Sequence, residues 1–343
     1  MISIHKRTAI AAIAGAVMLG SSGLAQAQAV TVRTSVNPLV YSYLPIFLAV
    51  DKGYFKAQGL DVQVKAYRGS STTQVPLLAR GDQDIAPMVM GPGMFNQHTQ
   101  GFGLKIVSAI AGSNAKWSDT SWIMVRTDVW KAKKPKTLAD LRGMSVDGGP
   151  LGSPVNLLIR EALKKAGLGM SDVKYSEKFK SPPAWIAAFK NKAIDVQAAV
   201  EPIVTMLEAQ GLATRWKSYK DAVPWFQETY FAASPKFLKD KPDAAKKFLT
   251  AFLQGAKDVH ATGGKWTPAL LDTLAKWSKL PKKILQRIPG PAYAGYFGSI
   301  DRVAIDRQQA IWMKLGAVKK KVDVNAIIDT SYLEAARKMA GVK

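Results

Sequence analysis

Two short runs carry the hydroxyl and glycine chemistry that can hold a small anion without a metal. Gly69-Ser70-Ser71-Thr72 follows an alternating apolar stretch and opens a helix, and Gly152-Ser153 does the same later in the chain. At a helix start the first backbone N–H groups have no partner within the helix. With hydroxyls beside them they suit a carboxylate or a sulfonate, and the same residues serve as plain helix caps when nothing is bound. Met90-Gly91-Pro92-Gly93 follows a third strand-like run; glycine there admits a ligand close to the backbone, or simply makes a turn. Tyr41 and Tyr43, after the first strand-like run, offer rings to wall a pocket, and Trp117 and Tyr230 lie near later crossings of the chain. Aromatic residues at such places are as readily core as ligand contacts. Glu201 stands between a strand and a helix-starting proline, where the helix N-terminus stabilises its carboxylate with or without a ligand.

Nothing in the chain reads as a catalytic centre. Its 343 residues include no cysteine, which removes thiolate nucleophiles, disulfides, cysteine metal sites and a lipid-anchoring cysteine. His5 sits in the basic start, leaving His98 and His260, neither in a zinc, nucleophile or phosphate-loop motif. No cofactor and no metal are expected. The formal net charge is +23, yet the lysines are scattered, with local clusters only at Lys131–Lys136 and Lys319–Lys321. No nucleic-acid motif accompanies them, so they read as solvated surface and nucleic acid is not an expected partner. The basic field would still concentrate an anionic solute around the protein.

The elements that must position these loops alternate between strand and helix, which argues for an α/β fold. Strand patterns run over Val30–Ser35, Leu60–Val64, Asp84–Met88, Lys105–Ile110, Trp122–Arg126, Met144–Asp147, Ile194–Ala198 and Tyr230–Ala233. Helices are expected over Ala49–Phe55, Thr72–Ala79 (ended by Gly81), from Thr137, and after Ser181-Pro182 and Pro202. The clearest helix carries Val155, Leu158, Ile159, Ala162, Leu163 and Ala166 on one face, with Ser153 as N-cap and Pro154 in the first turn. The last third has little strand character; its best helix carries Phe248, Leu249, Phe252 and Leu253. Ligands of open α/β sheets bind beyond the carboxyl ends of the strands, and every loop named above is at such an end or a crossing.

The first residues read as an address. His5, Lys6 and Arg7, the apolar run Thr8–Leu19 and the small residues to Ala29 have the form of a secretory signal peptide over residues 1–29, cleaved after Ala27 or Ala29. Its apolar run is too short to span a membrane as a helix. A Gram-negative periplasm is the expected compartment. The remaining chain exceeds the size at which one core stops growing, so two lobes are expected: residues 30–121 with 230–343, and residues 122–229 between them, joined by crossing strands near Trp122 and Tyr230.

A set of short motifs, in order, resembles a known family. They are Tyr43-Leu44-Pro45-Ile46-Phe47-Leu48-Ala49, Lys52-Gly53-Tyr54-Phe55, Gly59-Leu60-Asp61-Val62, Leu78-Ala79-Arg80-Gly81-Asp82-Gln83-Asp84-Ile85-Ala86, Thr137-Leu138-Ala139-Asp140-Leu141-Arg142-Gly143, Leu163-Lys164-Lys165-Ala166-Gly167-Leu168, Ile194-Asp195 and Glu201-Pro202. The chain is thereby identified as similar to the nitrate/sulfonate/taurine-type periplasmic binding proteins of ABC importers, a group that includes binding proteins for thiamin precursors. The resemblance spans roughly residues 43 to 202. It implies a periplasmic-binding-protein-like type II fold, two α/β lobes joined by two crossover strands and closing on a ligand in the cleft between them. It implies a monomer that delivers a small molecule to an ABC-importer permease and performs no chemistry on it. The alternatives are a ligand-binding component that feeds a membrane sensor, and an enzyme on the same fold, such as one making a thiamin precursor. The desulfinases of this fold use a cysteine, which this chain lacks. Basic charge and the two hydroxyl-rich helix starts favour a small organic anion, a sulfonate or an aromatic carboxylate, over nitrate.

Overall fold

The computed structural model describes residues 28–67, 70–112, 119–292 and 295–342. Trp117, Gly69 and residues 1–27 of the expected signal peptide 1–29 lie outside them.

Ten strands form among the described residues: β1 Val30–Val36, β2 Leu60–Ala66, β3 Ile85–Val89, β4 Lys105–Gly112, β5 Ser121–Arg126, β6 Ser145–Asp147, β7 Lys174–Ser176, β8 Val196–Val200, β9 Ala213–Ser218 and β10 Gln227–Ala233. β1 and β2 pair in parallel, and β10 lies antiparallel between β3 and β4. The other five make one mixed sheet in the order β7-β6-β8-β5-β9. β6 is parallel to β7 and β8, while β5 runs antiparallel to β8 and β9. The strand β5 thus opens the five-stranded sheet, and β10 returns the chain to the strands that preceded it. With helices throughout, this is the α/β class expected.

Packing follows the apolar periodicity. On β1, Val32 and Val36 are fully buried, in one apolar cluster with residues of the helix Leu44–Asp51 and of the long helix Pro242–Ala261. There Phe231 of β10 meets Phe248 and Phe252 edge-on at 5.4 and 4.9 Å, in the mutual geometry that aromatic quadrupoles prefer. The helix Pro154–Lys165 buries Leu158, Ile159, Ala162 and Leu163 completely, the face its spacing marks. Packed apolar residues also run without a break from Met88, Met90 and Phe95 across to Ile123, Val146 and Leu158.

Several elements differ from expectation, each for a local reason. The first helix starts at Leu44, not Ala49, because Pro45 needs no N–H partner in a first turn. Thr137 opens a single 3₁₀ turn, Leu138–Leu141, in which Asp140 accepts the N–H groups of Thr137 and Lys136. β8 begins two residues late, since Asp195 is held by Arg126 at 3.0 Å and accepts the N–H of Ser145. Half of the lysine-rich stretch joins a helix, Thr127–Lys133, with Asp128 in its first turn and Lys131 and Lys133 in its last, the order a helix dipole favours. The unexpected β7 and β9 are the two edges of their sheet, where polar residues are tolerated and alternation fades.

Candidate functional site

The loops singled out by their chemistry gather at one end of the sheets. Tyr41 to Tyr43 form a 3₁₀ turn beyond β1, Ser71 to Gln74 another beyond β2, and Met90-Gly91 follow β3. Antiparallel β10 brings its first residues to the same end, so that Met90 N–H donates to the carbonyl of Glu228 at 2.7 Å. In the five-stranded sheet the start of β5 lies beside the end of β8, where Glu201 N–H donates to the Thr120 carbonyl at 2.8 Å. Side chains join this sheet to the other two at these points. Thr120 Oγ1 donates to Glu228 Oε2 at 2.5 Å, and Tyr41 Oη donates to the Asp119 carbonyl at 3.2 Å.

Glycine makes the closest approaches possible. A Cβ on Gly93 would lie 2.9 Å from Thr72 Cγ2, and one on Gly91 would touch the Gly152 carbonyl at 3.4 Å. Gly152 itself has φ +79°, and a Cβ there would fall 2.7 Å from Pro92 Cγ. The Ser70–Thr72, Met90–Gly93 and Gly152–Ser153 loops therefore touch in series.

Their hydroxyls are engaged within the chain. Ser70 Oγ accepts the Thr72 N–H at 3.3 Å, Ser71 Oγ accepts the Val89 N–H at 3.0 Å, and Ser153 Oγ accepts the Asn156 N–H at 3.2 Å. All three act as caps or strand ties in this conformation. Below Ser153, Asp147 shapes the Gly148-Gly149 turn: its Oδ1 accepts Gly149 N–H at 2.8 Å, and its Oδ2 accepts Ser176 Oγ at 2.6 Å and Lys178 N–H at 2.9 Å.

The electrostatics at the junction are acidic. Glu228 is buried, with only the Thr120 hydroxyl bond opposing the cost of ionisation, and burial pushes its carboxyl up to about 7. Neighbouring Asp119 adds to that shift; Asp119 is itself raised by burial, which the Ser218 hydroxyl and Lys220 oppose. Glu201 is also raised by burial to about 7, against the pull of Arg215, whose Nη2 lies 2.8 Å from Glu201 Oε1. Arg215 further contacts Glu208, the Thr205 hydroxyl and the face of Trp122 at 5.1 Å. Burial likewise raises Tyr67 to about 12 and holds Tyr43 well above the usual phenol range.

Of the residues named from sequence, Tyr41, Met90, Gly91, Gly152 and Glu201 are brought to the junction by these contacts, with Ser71, Thr72 and Ser153 adjoining. Tyr230 turns elsewhere: its hydroxyl donates to the Gln227 carbonyl of its own strand at 3.1 Å, and its ring is core. Thr120, Glu228 and Arg215 went unnamed. Gln227, Glu228 and Thr229 precede the expected strand Tyr230–Ala233 and are part of β10; the signal that could have found Glu228 is a carboxylate two residues before an apolar strand at a crossing. Among the described residues no group of three or more His, Asp or Glu side chains is placed to hold a metal ion.

The family model described as "NMT1/THI5 like" matches residues 41–263. A Brucella abortus (strain 2308) protein that carries only the provisional name of a binding protein is 26% identical over 243 residues, 70% of this chain and 69% of its own. Among solved structures, the periplasmic aliphatic sulphonate binding protein SsuA from Escherichia coli superposes with a TM-score of 0.69 at 18% identity, over 88% of this chain and 92% of that one. The periplasmic nitrate-binding protein NrtA from Synechocystis PCC 6803 gives 0.66 at 16%, over 91% and 89%. The desulfurization enzyme DSZB gives 0.64 at 13%, over 90% and 99%. These likenesses fix the fold as that of the periplasmic binding proteins, and the match over residues 41–263, most of the chain, places it in the NMT1/THI5-like family.

Proposed function

We propose that this chain is a periplasmic solute-binding protein of an ABC importer, which closes two lobes on a small organic solute and hands it to a membrane permease. The lobes are residues 30–121 with 230–343, and residues 122–229, and the cleft runs between Tyr41, Met90 and Gly91 on one side and Gly152, Ser153 and Glu201 on the other. The observation that carries this reading is the seating of Gly91-Pro92 against Gly152, a contact between loops at the strand ends of two different sheets. Such rims meet when a hinged pair of lobes shuts.

The favoured solute is an organic anion, a sulfonate or an aromatic carboxylate. Support comes from the basic charge, from the helix starts at Ser70 and Ser153, and from the sulphonate named for SsuA. An oxyanion there would take over amide protons now received by the serine hydroxyls. Glu228 sits at the other end of the junction, where its carboxylate, once ionised, would repel an anionic solute group and accept a hydrogen-bond donor.

The test is a thermal-shift screen with sulfonates, aromatic carboxylates, nitrate, amino acids and pyrimidines, on protein unfolded and refolded to strip co-purified ligand. A solute at about 100 times its dissociation constant adds about 2.7 kcal/mol to the stability of the fold. A shift confined to sulfonates or carboxylates, lost in S71A or S153A, supports the reading. A shift with pyrimidines alone moves the solute class and keeps the function; turnover of any bound compound overturns it. The likeness to DSZB is what speaks for an enzyme. One solved form of DSZB, in complex with biphenyl-2-sulfinic acid, carries serine in place of a cysteine, and a chain without cysteine has no counterpart to that residue.

A further inference from the structure

A basic and aromatic surface stands on the outer edge of the five-stranded sheet. The helix Thr127–Lys133 lies on β5 and β9 and buries none of its residues. It ends at Lys134, whose φ of +47° turns the chain sharply, and the buried Pro135 pins the turn. Lys131, Lys133, Lys134 and Lys136 are all exposed, and none of them forms an ion pair within 4.0 Å among the described residues. Trp130 is half-buried beside Trp216, ring centroids 6.5 Å apart and edge to face, and the Lys217 ammonium lies 5.8 Å from the Trp216 ring. A concavity of about 520 Å³ opens between Trp130 and the turn residues Lys131, Lys134, Pro135 and Lys136. A second, of about 280 Å³, shares Lys131 and adds Lys190 and Lys192. The acidic groups on this side are already occupied: Asp128 holds Arg126 and Lys192, Asp195 holds Arg126, and Asp140 caps the Thr137 turn.

We propose that this face docks on an anionic membrane, with Lys131, Lys133, Lys134 and Lys136 against phosphodiester headgroups and Trp130 and Trp216 at headgroup depth. Charge complementarity selects this occupant. The lysines are compact charges on flexible stems, without the rigid forks that read a shaped protein epitope. A surface of mobile headgroups answers charge density instead of shape, and indole rings settle at the boundary of water and lipid. No helix among the described residues is long and apolar enough to cross a membrane, so the contact is peripheral and reversible. It would keep the protein near the plane of a membrane without any lipid anchor.

Protein recovered from the periplasm of an expression host is sedimented with phosphatidylglycerol–phosphatidylethanolamine vesicles and with phosphatidylcholine vesicles, at low and high salt. Binding is expected to the anionic vesicles only and to fall with salt, since each lysine near such a surface raises partitioning by about fivefold. The variant K131Q/K133Q/K134Q/K136Q should lose at least tenfold with an unchanged melting temperature. The variant K314Q/K319Q/K320Q/K321Q removes the same charge from another surface and should keep its binding. Equal loss in both variants would show that net charge alone is read, and full binding by the first variant, or none by the wild type, would equally overturn the proposal.

Discussion

Glu228 is a buried carboxyl group near the start of a fully buried strand, and its ionisation has a sign that can be measured. Burial lifts it to about 7 in the folded chain, against an ordinary glutamate value near 4.3 when unfolded. Between those values the folded state holds a proton that the unfolded state has released. Stability therefore falls as pH rises through that window, by about 4 kcal/mol from this group. We expect E228Q to remove that part of the slope, seen as a smaller difference between urea midpoints at pH 5 and pH 7.5 than the wild type shows. Glu201 shifts in the same direction, so it is the difference between variant and wild type that isolates Glu228; an unchanged slope would mean that another group carries it. Arg215 gives a second prediction at this scale. Its guanidinium is the near cation of the fully buried Glu201 side chain, and removing one partner of such a pair costs about 3–5 kcal/mol. R215M should lose stability on that order in chemical unfolding, while E201Q/R215M should recover part of it because the fully buried carboxylate is gone and the remaining partner, Glu208, is partly exposed.

The loops that build the junction owe their shape to the elements they leave. Gly152 ends the turn after β6 and precedes the N-cap of the helix Pro154–Lys165, with φ +79° and Pro92 at its back. Gly167, beyond the other end of that helix, has φ +68° and open space where a Cβ would go. An alanine at either position meets the same left-handed backbone cost, about 1 kcal/mol. Only at Gly152 does the added carbon also strike the opposing loop. G152A should thus weaken solute affinity by tenfold or more in calorimetry, while G167A lowers the melting temperature and leaves affinity alone; equal affinities would remove Gly152 from the closing rim. The contrast also marks what the sequence could and could not disclose. Elements with a repeating apolar face, such as the helix bearing Leu158 and Leu163 or the strand bearing Val32, are legible because burial imposes their period. Ser153 and Pro154 are legible because caps act within four residues. Edge strands β7 and β9 are not, since one unpaired side leaves their residues unconstrained. The direction of the Tyr230 ring is not legible for a related reason: a position on a strand tells the residue, not which side of the sheet its ring takes. Glu228 and Arg215 are invisible for a deeper one, because their partners Thr120 and Glu201 are distant in sequence or depend on which edges of the strands face each other.

At the scale of the whole molecule the question is whether the five-stranded sheet and the other two hold one arrangement or two. The packed apolar residues run from Met88 and Phe95 to Ile123 and Leu158 without interruption, and the rims touch at Pro92 and Gly152. Against this, the chain enters and leaves the five-stranded sheet through the segments leading into β5 and β10, and at those segments stand polar side chains, Thr120 and Glu228, joined by a short bond. A junction that bends at two strands while its rims separate is what hinge closure requires, and a solute can favour the shut form only by contacts it makes there and not in the open one. If the open form dominates without solute, measured affinity is the intrinsic affinity reduced by the small fraction already shut. We expect small-angle X-ray scattering to give a larger radius of gyration for the stripped protein than this arrangement with its rims in contact has, and a contraction to that value on adding the solute found by the thermal screen. G152A should stay expanded at solute concentrations that contract the wild type. Identical scattering with and without a solute that demonstrably binds would mean a preformed site in one rigid body, in which case Gly91, Pro92 and Gly152 shape a fixed wall and the two-lobe reading of the chain fails.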